Sequence, residues 1–200
     1  MKALFAVAVL VTVAAITPGP NNFIVMAAAA RGGGAAAIPA IAGVVTGSLA
    51  LLVLVWTGAG AVFDGEPRLR SALVAAGCLY LAWLGASLIR QGGKRAGGDD
   101  KPGRQALPRT ALGLAAFQFL NPKGWVMIVT ATAAMPGDSG GVPPLAALSA
   151  IFAVVTGVCL TLWALAGSAI ADRLRRPPAR QWFERAMGGL LIGSAVLLLI

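Results

Sequence analysis

The stretch that decides the fold is TPGPNNF, Thr17 to Phe23. Two prolines, a glycine and two asparagines interrupt a run in which no charged residue occurs from Ala3 to Ala30. A helix needs about 20 apolar residues to cross about 30 Å of hydrocarbon, and this run is long enough. Proline removes a backbone donor and clashes with the preceding turn, so a helix formed here breaks near its middle. Inside hydrocarbon, backbone groups freed by a break are costly unless they line a cavity or find protein partners. The question is what meets this one.

The rest of the chain is suited to the same solvent. Of its 200 residues, 58% are hydrophobic and 12% charged, with mean hydropathy +0.83; a soluble domain has about 25% charged and about 45–50% apolar residues. So little charge cannot cover a water-facing surface. Residues 1–200 therefore read as one all-α integral membrane domain with the lipid bilayer as its surroundings. The 26 glycines suit helices that pack through small side chains. Histidine is absent, and Cys78 and Cys159 lie in apolar segments without a CxxC spacing. That leaves no His general base and no His-based metal cluster, so neither an enzyme, a cofactor nor a resident metal is expected. The net charge of +9 comes from basic residues in short loops between apolar runs, a pattern of membrane orientation and not of nucleic-acid binding. The opening MKALFAVAVLVTVAAI has the make-up of a signal peptide, but the apolar run continues to Ala30. Signal h-regions run about 7–15 residues, so a retained first span is expected.

Six candidate spans follow, at roughly 3–30, 35–62, 71–90, 111–136, 144–170 and 182–200. Glu184 and Arg185 leave the last one short, with Trp182 expected at the interface. A Gly-, charge- and Pro-rich linker, 91–109, splits the chain into halves of three spans each, 3–90 and 110–200. The loops after spans 1, 3 and 5 carry Arg31; Arg90, Lys94, Arg95, Lys101, Arg104 and Arg109; and Arg173, Arg175, Arg176, Arg180 and Arg185. The opposite side has Lys2, Arg68 and Arg70. Twelve basic residues against three place the linker in the cytoplasm and both termini outside.

Span 4 contains a second break. Asn121-Pro122-Lys123-Gly124 falls near its middle, about 100 residues after Thr17-Pro18-Gly19-Pro20-Asn21-Asn22. Three crossings per half make any structural repeat an inverted one, and paired interruptions at matching places point to a transporter's central site. The expectation is two inverted three-helix repeats with helices 1 and 4 broken near the midplane. Asn21, Asn22 and Asn121 supply donors and acceptors beside the breaks. The half-helices starting beyond the prolines present partial positive charge to a carboxylate.

Lys123 is the sharpest residue. A lysine at the bilayer centre costs about 2.5–3.5 kcal/mol on insertion scales, and all seven acidic residues lie in loops or at segment ends. Three fates are open to it: freed carbonyls, a substrate carboxylate, or loss of its proton. On this reading Asn21, Asn22 and Asn121 hydrogen-bond a substrate, and Lys123 pairs with its carboxylate or carries a coupled proton. Pro18, Gly19, Pro20 and Pro122 hold the backbone open, with Gly19 as a hinge, Thr17 belongs to the binding pathway, and Gln118 and Trp163 are candidates to face it. Gly43/Gly47 and Gly189/Gly193 have the spacing of close helix contacts, and Cys78 and Cys159 read as small hydrophobes.

Thr17-Pro18-Gly19-Pro20-Asn21, the Gly43/Gly47 helix, the segment Gly77-Cys78-Leu79-Tyr80-Leu81-Ala82-Trp83-Leu84-Gly85 and Asn121-Pro122-Lys123 together resemble the LysE/RhtB family of bacterial amino-acid exporters. The likeness spans the whole chain. The doubled Asn21-Asn22 and Trp163-Ala164-Leu165-Ala166-Gly167 are most similar to the branch containing the cysteine/O-acetylserine exporter. The resemblance implies a six-helix inner-membrane exporter of small amino acids or their derivatives, driven by the proton motive force; a homo-oligomer is left open. The chain departs from the family pattern at Ala134-Met135-Pro136-Gly137-Asp138, which leaves the substrate unspecified. Two rival readings remain. A thiol or electron carrier would use Cys78 and Cys159, though Asn and Lys stand beside the prolines where such proteins place cysteines. A metal-ion exporter of related architecture would need His or intramembrane carboxylate ligands.

Overall fold

The computed structural model describes residues 2–59, 67–94, 110–135, 142–174 and 176–197, and each element among them is a helix or helical turn. Helix α1 (Lys2–Ile16) ends where the first break begins, and α2 (Pro20–Gly32) leaves it at an angle of 55°. A 3₁₀ turn (Gly34–Ala37) leads into α3 (Ile38–Leu54), which closes in a π turn (Val55–Ala59). Then follow α4 (Pro67–Lys94), α5 (Ala111–Gln118), α6 (Pro122–Ala133), α7 (Val142–Ala169), the short α8 (Ala171–Leu174) and α9 (Pro177–Leu197). Pro20 and Pro122 each sit in the first turn of their helix, where the missing N–H has no intrahelical acceptor to lose. The prolines therefore start the second half of each broken helix.

The helices turn apolar side chains outward as well as inward. On α1, Val7 and Val11 are buried while Phe5, Val9, Val13 and Ile16 are exposed; on α7, Phe152 and Leu160 are buried while Val154, Val158 and Leu165 are exposed. Such an apolar exterior is stable against lipid and not against water. Residues Gly34–Gly58 and Val142–Ala169 are each long and apolar enough to cross a membrane, and the bent pair α1–α2 makes a third such unit. The apolar part of α4, Val74–Arg90, is shorter. Expected segment 4 is the pair α5 and α6, and expected segment 6 begins earlier than anticipated, at Pro177. Of the expected linker 91–109, residues 91–94 continue α4 and 95–109 lie outside the described residues.

Helix α4 packs along α9, α1 and α2 pack on α7, and α5 packs on α3. Small residues permit these approaches. A methyl on Gly47 would meet the Ala115 carbonyl oxygen of α5 at 2.5 Å, and one on Gly77 of α4 would meet the ring of Pro122 at 2.6 Å. Gly85 and Gly188 face each other across the α4–α9 seam, where a methyl on either would lie 2.5 or 2.6 Å from the other's carbonyl oxygen. The contact glycine of α9 is thus Gly188, not the expected Gly189/Gly193 pair, which faces open space. One residue of offset turns a helical side chain by about 100°, enough to move it off the seam.

Two apolar clusters form the core. One joins Phe23, Val25, Leu81, Leu84, Leu114 and Leu191; the other joins Val7, Val11, Leu51, Trp125, Ile128 and Phe152. The same change made on the two faces of α9 separates packing from helix propensity. Gly188→Ala should lower stability in detergent by about 1–3 kcal/mol through overpacking. Gly193→Ala should be neutral or mildly stabilising. Thermal melts of the purified variants check both.

Candidate functional site

Beyond the Val13 carbonyl, which still accepts from the Thr17 N–H at 3.3 Å, the first break leaves the carbonyls at the end of α1 without backbone donors, and side chains supply replacements. The Thr17 hydroxyl donates back to the carbonyls of Val13 and Ala14 at 3.0 and 2.9 Å. The Asn22 amide donates to the carbonyls of Ala15 and Thr17, at 2.9 and 2.8 Å. The indole N–H of Trp163, on α7, reaches the carbonyl of Ile16 at 3.3 Å. Backbone that water would solvate outside a membrane is here satisfied by protein.

The second break is closed by backbone turns at Phe119, Leu120 and Asn121, and the Trp125 indole donates to the Phe119 carbonyl at 3.0 Å. Two contacts tie the breaks together. Asn21 and Gln118 exchange a reciprocal pair of amide hydrogen bonds, both 3.0 Å. Lys123 Nζ donates to the carbonyl and the hydroxyl oxygen of Thr17, at 3.0 and 2.9 Å. Of the three fates open to Lys123, a freed carbonyl of the opposite break is the one observed. Gly19 makes room for it, since a methyl there would lie 3.3 Å from Nζ. The Gly19 backbone is extended (φ −167°), a conformation open to any residue, so space is what the glycine provides.

Between the breaks lies a cavity of about 40 Å³, room for roughly three waters. The N-terminal turns of α2 and α6 both border it, through Pro20, Asn21 and Asn22 on one side and Lys123 and Gly124 on the other. Partial positive charge from two helix N-termini thus adds to the lysine ammonium. Its lining residues include no acid.

The expected site residues divide by role. Gly19, Pro20, Asn21, Asn22, Gln118, Asn121 and Lys123 line the cavity. Thr17 touches it through Lys123, Pro122 is buried against Gly77, and Pro18 is exposed. The donors of Asn22 are spent on the α1 carbonyls. Asn121 precedes α6 without capping it, and its carboxamide oxygen is buried with no partner. Trp163 serves the break and is not part of the lining; neither are Cys78 and Cys159, both buried free thiols. Ser48 of α3 and Thr156 of α7, also in the lining, escaped the sequence reading. Their signal was position: each lies at the centre of its expected span, 35–62 or 144–170.

Residues 12–200 match the family described as LysE type translocator. The chain belongs to that family. The translocator is also similar to two curated threonine efflux proteins, each 26% identical to it. For the protein of Salmonella typhimurium (strain LT2) the match covers 100% of this chain and 98% of the relative; for that of Salmonella typhi it covers 98% and 97%. No solved structure matches. It is a membrane amino-acid efflux transporter by family, with helices apolar enough to span a bilayer.

The reciprocal amide pair is expected to hold the two halves of the translocator together. Asn21→Leu leaves the buried Gln118 amide only its bond to the Leu114 carbonyl, and Gln118→Leu strips the half-buried Asn21 amide of its partner; each should destabilise by about 1 kcal/mol or more. The double variant should recover part of that loss. A double-mutant cycle in detergent should return a coupling of about 0.6 kcal/mol and up to about 1.7 kcal/mol, the average and maximum for side-chain hydrogen bonds between membrane helices; zero coupling would show that the pair contributes nothing.

Proposed function

We propose that this translocator is a secondary active exporter of small amino acids across the bacterial inner membrane, coupled to protons, with threonine the first substrate to test. The observation that carries this reading is the Lys123 ammonium, held on Thr17 between two helix N-termini at a largely apolar cavity with no acid in its lining. The site suits an α-carboxylate, and it disfavours a second positive charge such as that of a basic amino acid.

The carboxylate exchanges with the Thr17 carbonyl as the partner of Lys123. Two hydrogen bonds to oxygen are given up and comparable charge-assisted ones are made, so loading breaks one of the two ties between the halves, leaving the Asn21–Gln118 pair, without stranding the ammonium. The cavity is smaller than an amino acid, and parting of the breaks makes room. Return of the empty carrier re-forms the Lys123–Thr17 contact, and a proton carried through the same pocket completes the cycle.

The architecture proposed is six crossings in two inverted repeats, 3–90 and 110–200, with the linker 91–109 cytoplasmic. The helix contacts support this in part: α1–α2 on α7 would correspond to α5, and more weakly α6, on α3, and α4 on α9 to itself. The end of α2 also meets α8, and Gly34 lies 3.9 Å, from where its Cβ would be, to the Ser168 hydroxyl. These contacts support putting the loops after spans 1 and 5 on one face, in line with the distribution of basic residues.

Lys123→Met should reduce threonine export from preloaded cells about tenfold or more at equal protein levels, the scale of one lost charge-assisted hydrogen bond. A protonophore should abolish export by the wild type. Undiminished export by Lys123→Met would exclude the proposed carboxylate site, and export indifferent to the protonophore would exclude proton coupling.

A further inference from the structure

We propose that Thr156 and Asn121 form a subsite that reads the substrate's polar groups, with Thr156 selecting a hydroxyl-bearing side chain over its aliphatic isostere. The proposal rests on the export reading above. It starts from two side chains that decline the hydrogen bonds their positions offer.

Threonine inside a helix ordinarily turns its hydroxyl back to a carbonyl three or four residues earlier. Here Thr12, Thr46, Thr132 and Thr161 all do so, at 2.7 to 2.9 Å. Thr156 does not, although it is 5% exposed and its hydroxyl has no partner. Asparagine before a helix ordinarily accepts from the N–H groups of the first turn. Asn121, 2% exposed, leaves its carboxamide oxygen unpartnered instead. Both side chains line the same cavity as Lys123. An unsatisfied buried polar atom weakens a fold, so two around one small cavity mark where a ligand's own donors and acceptors are received.

The chemistry of each atom assigns its part. Lys123 takes the α-carboxylate. The Asn121 oxygen only accepts, so it faces a donor, the substrate ammonium. The Thr156 hydroxyl both donates and accepts, which matches a short side-chain hydroxyl. The apolar neighbours Met127 and Leu160 hold the aliphatic part. A site built to hydrogen-bond a hydroxyl rejects the analogue lacking it, because the protein group is then left unpaired. The class selected is the small, zwitterionic, hydroxylated amino acid.

The test compares export of threonine and its isostere valine from preloaded cells, with melting temperature of the purified protein as a second reading. Thr156→Val should lower the threonine-to-valine export ratio by about fivefold or more. Thr156→Ser should preserve the ratio, and Thr161→Val, which removes a back-bonded hydroxyl, should leave it unchanged. In the absence of substrate Thr156→Val should melt at the same temperature as the wild type or higher, because the hydroxyl has no partner to lose; Thr156→Ala gives the export reading without added bulk. A lower melting temperature for Thr156→Val, or an unchanged ratio in both Thr156→Val and Thr156→Ala, would overturn the subsite while amino-acid export stands. If the wild type exports neither amino acid, the export reading itself falls.

Discussion

The constraint on which this structure depends is the one imposed by breaking a helix where no water can repair it. Each end of a broken helix exposes carbonyls or N–H groups that hydrocarbon cannot satisfy. At the end of α1 the Thr17 hydroxyl, the Asn22 amide, the Trp163 indole and the Lys123 ammonium take over from the missing backbone donors. Three of these four side chains lie on elements other than α1. The break is therefore stable only in the assembled fold, and its completion is what draws α2, α6 and α7 to a common point.

The two breaks contribute unlike groups. The first supplies acceptors, the Thr17 carbonyl and hydroxyl; the second supplies the cation, Lys123, and an asparagine that does not cap its helix. An intramembrane lysine facing a carboxylate of the same chain would form a tight, permanent pair. Facing a backbone carbonyl instead, it is held by bonds that a carboxylate replaces on favourable terms. On the proposed reading the lack of acid in the cavity lining fits the same asymmetry, since a fixed counter-charge would compete with the ligand.

Much of this was legible in the chain. The breaks at Thr17–Asn22 and Asn121–Gly124 announce themselves because Pro and Asn are out of place in an apolar run, and Lys123 because a charge is. The resemblance that those motifs carry is upheld by the family match. What could not be read is the partnering. Sequence assigns Asn22 polar groups but not their direction, and its amide turns back to α1. Nor does spacing alone tell Gly188 from Gly189, because the rotation of α9 is fixed by Gly85 on another helix. Thr156 passed unnoticed for a related reason: most helix threonines are silent, their hydroxyls folded onto their own backbone. Only the conformation shows that this one is not.

Around the cavity, then, satisfied and unsatisfied groups are segregated. Asn21, Asn22 and Gln118 are bonded to the protein and join or close the breaks. Asn121 and Thr156 are left open. The first set gives the unloaded protein a defined shape, and the second leaves that shape less stable than it might be. A carrier that satisfied every buried polar group by itself would have nothing to gain from a ligand, and its halves would have no reason to part. On the proposed reading the incomplete bonding at Asn121 and Thr156, with the exchangeable partner of Lys123, supplies that reason. Substrate binding completes the polar groups and removes the Lys123 tie in the same event, so the energy gained is released at one of the two contacts that join the breaks and leaves the Asn21–Gln118 pair as the other.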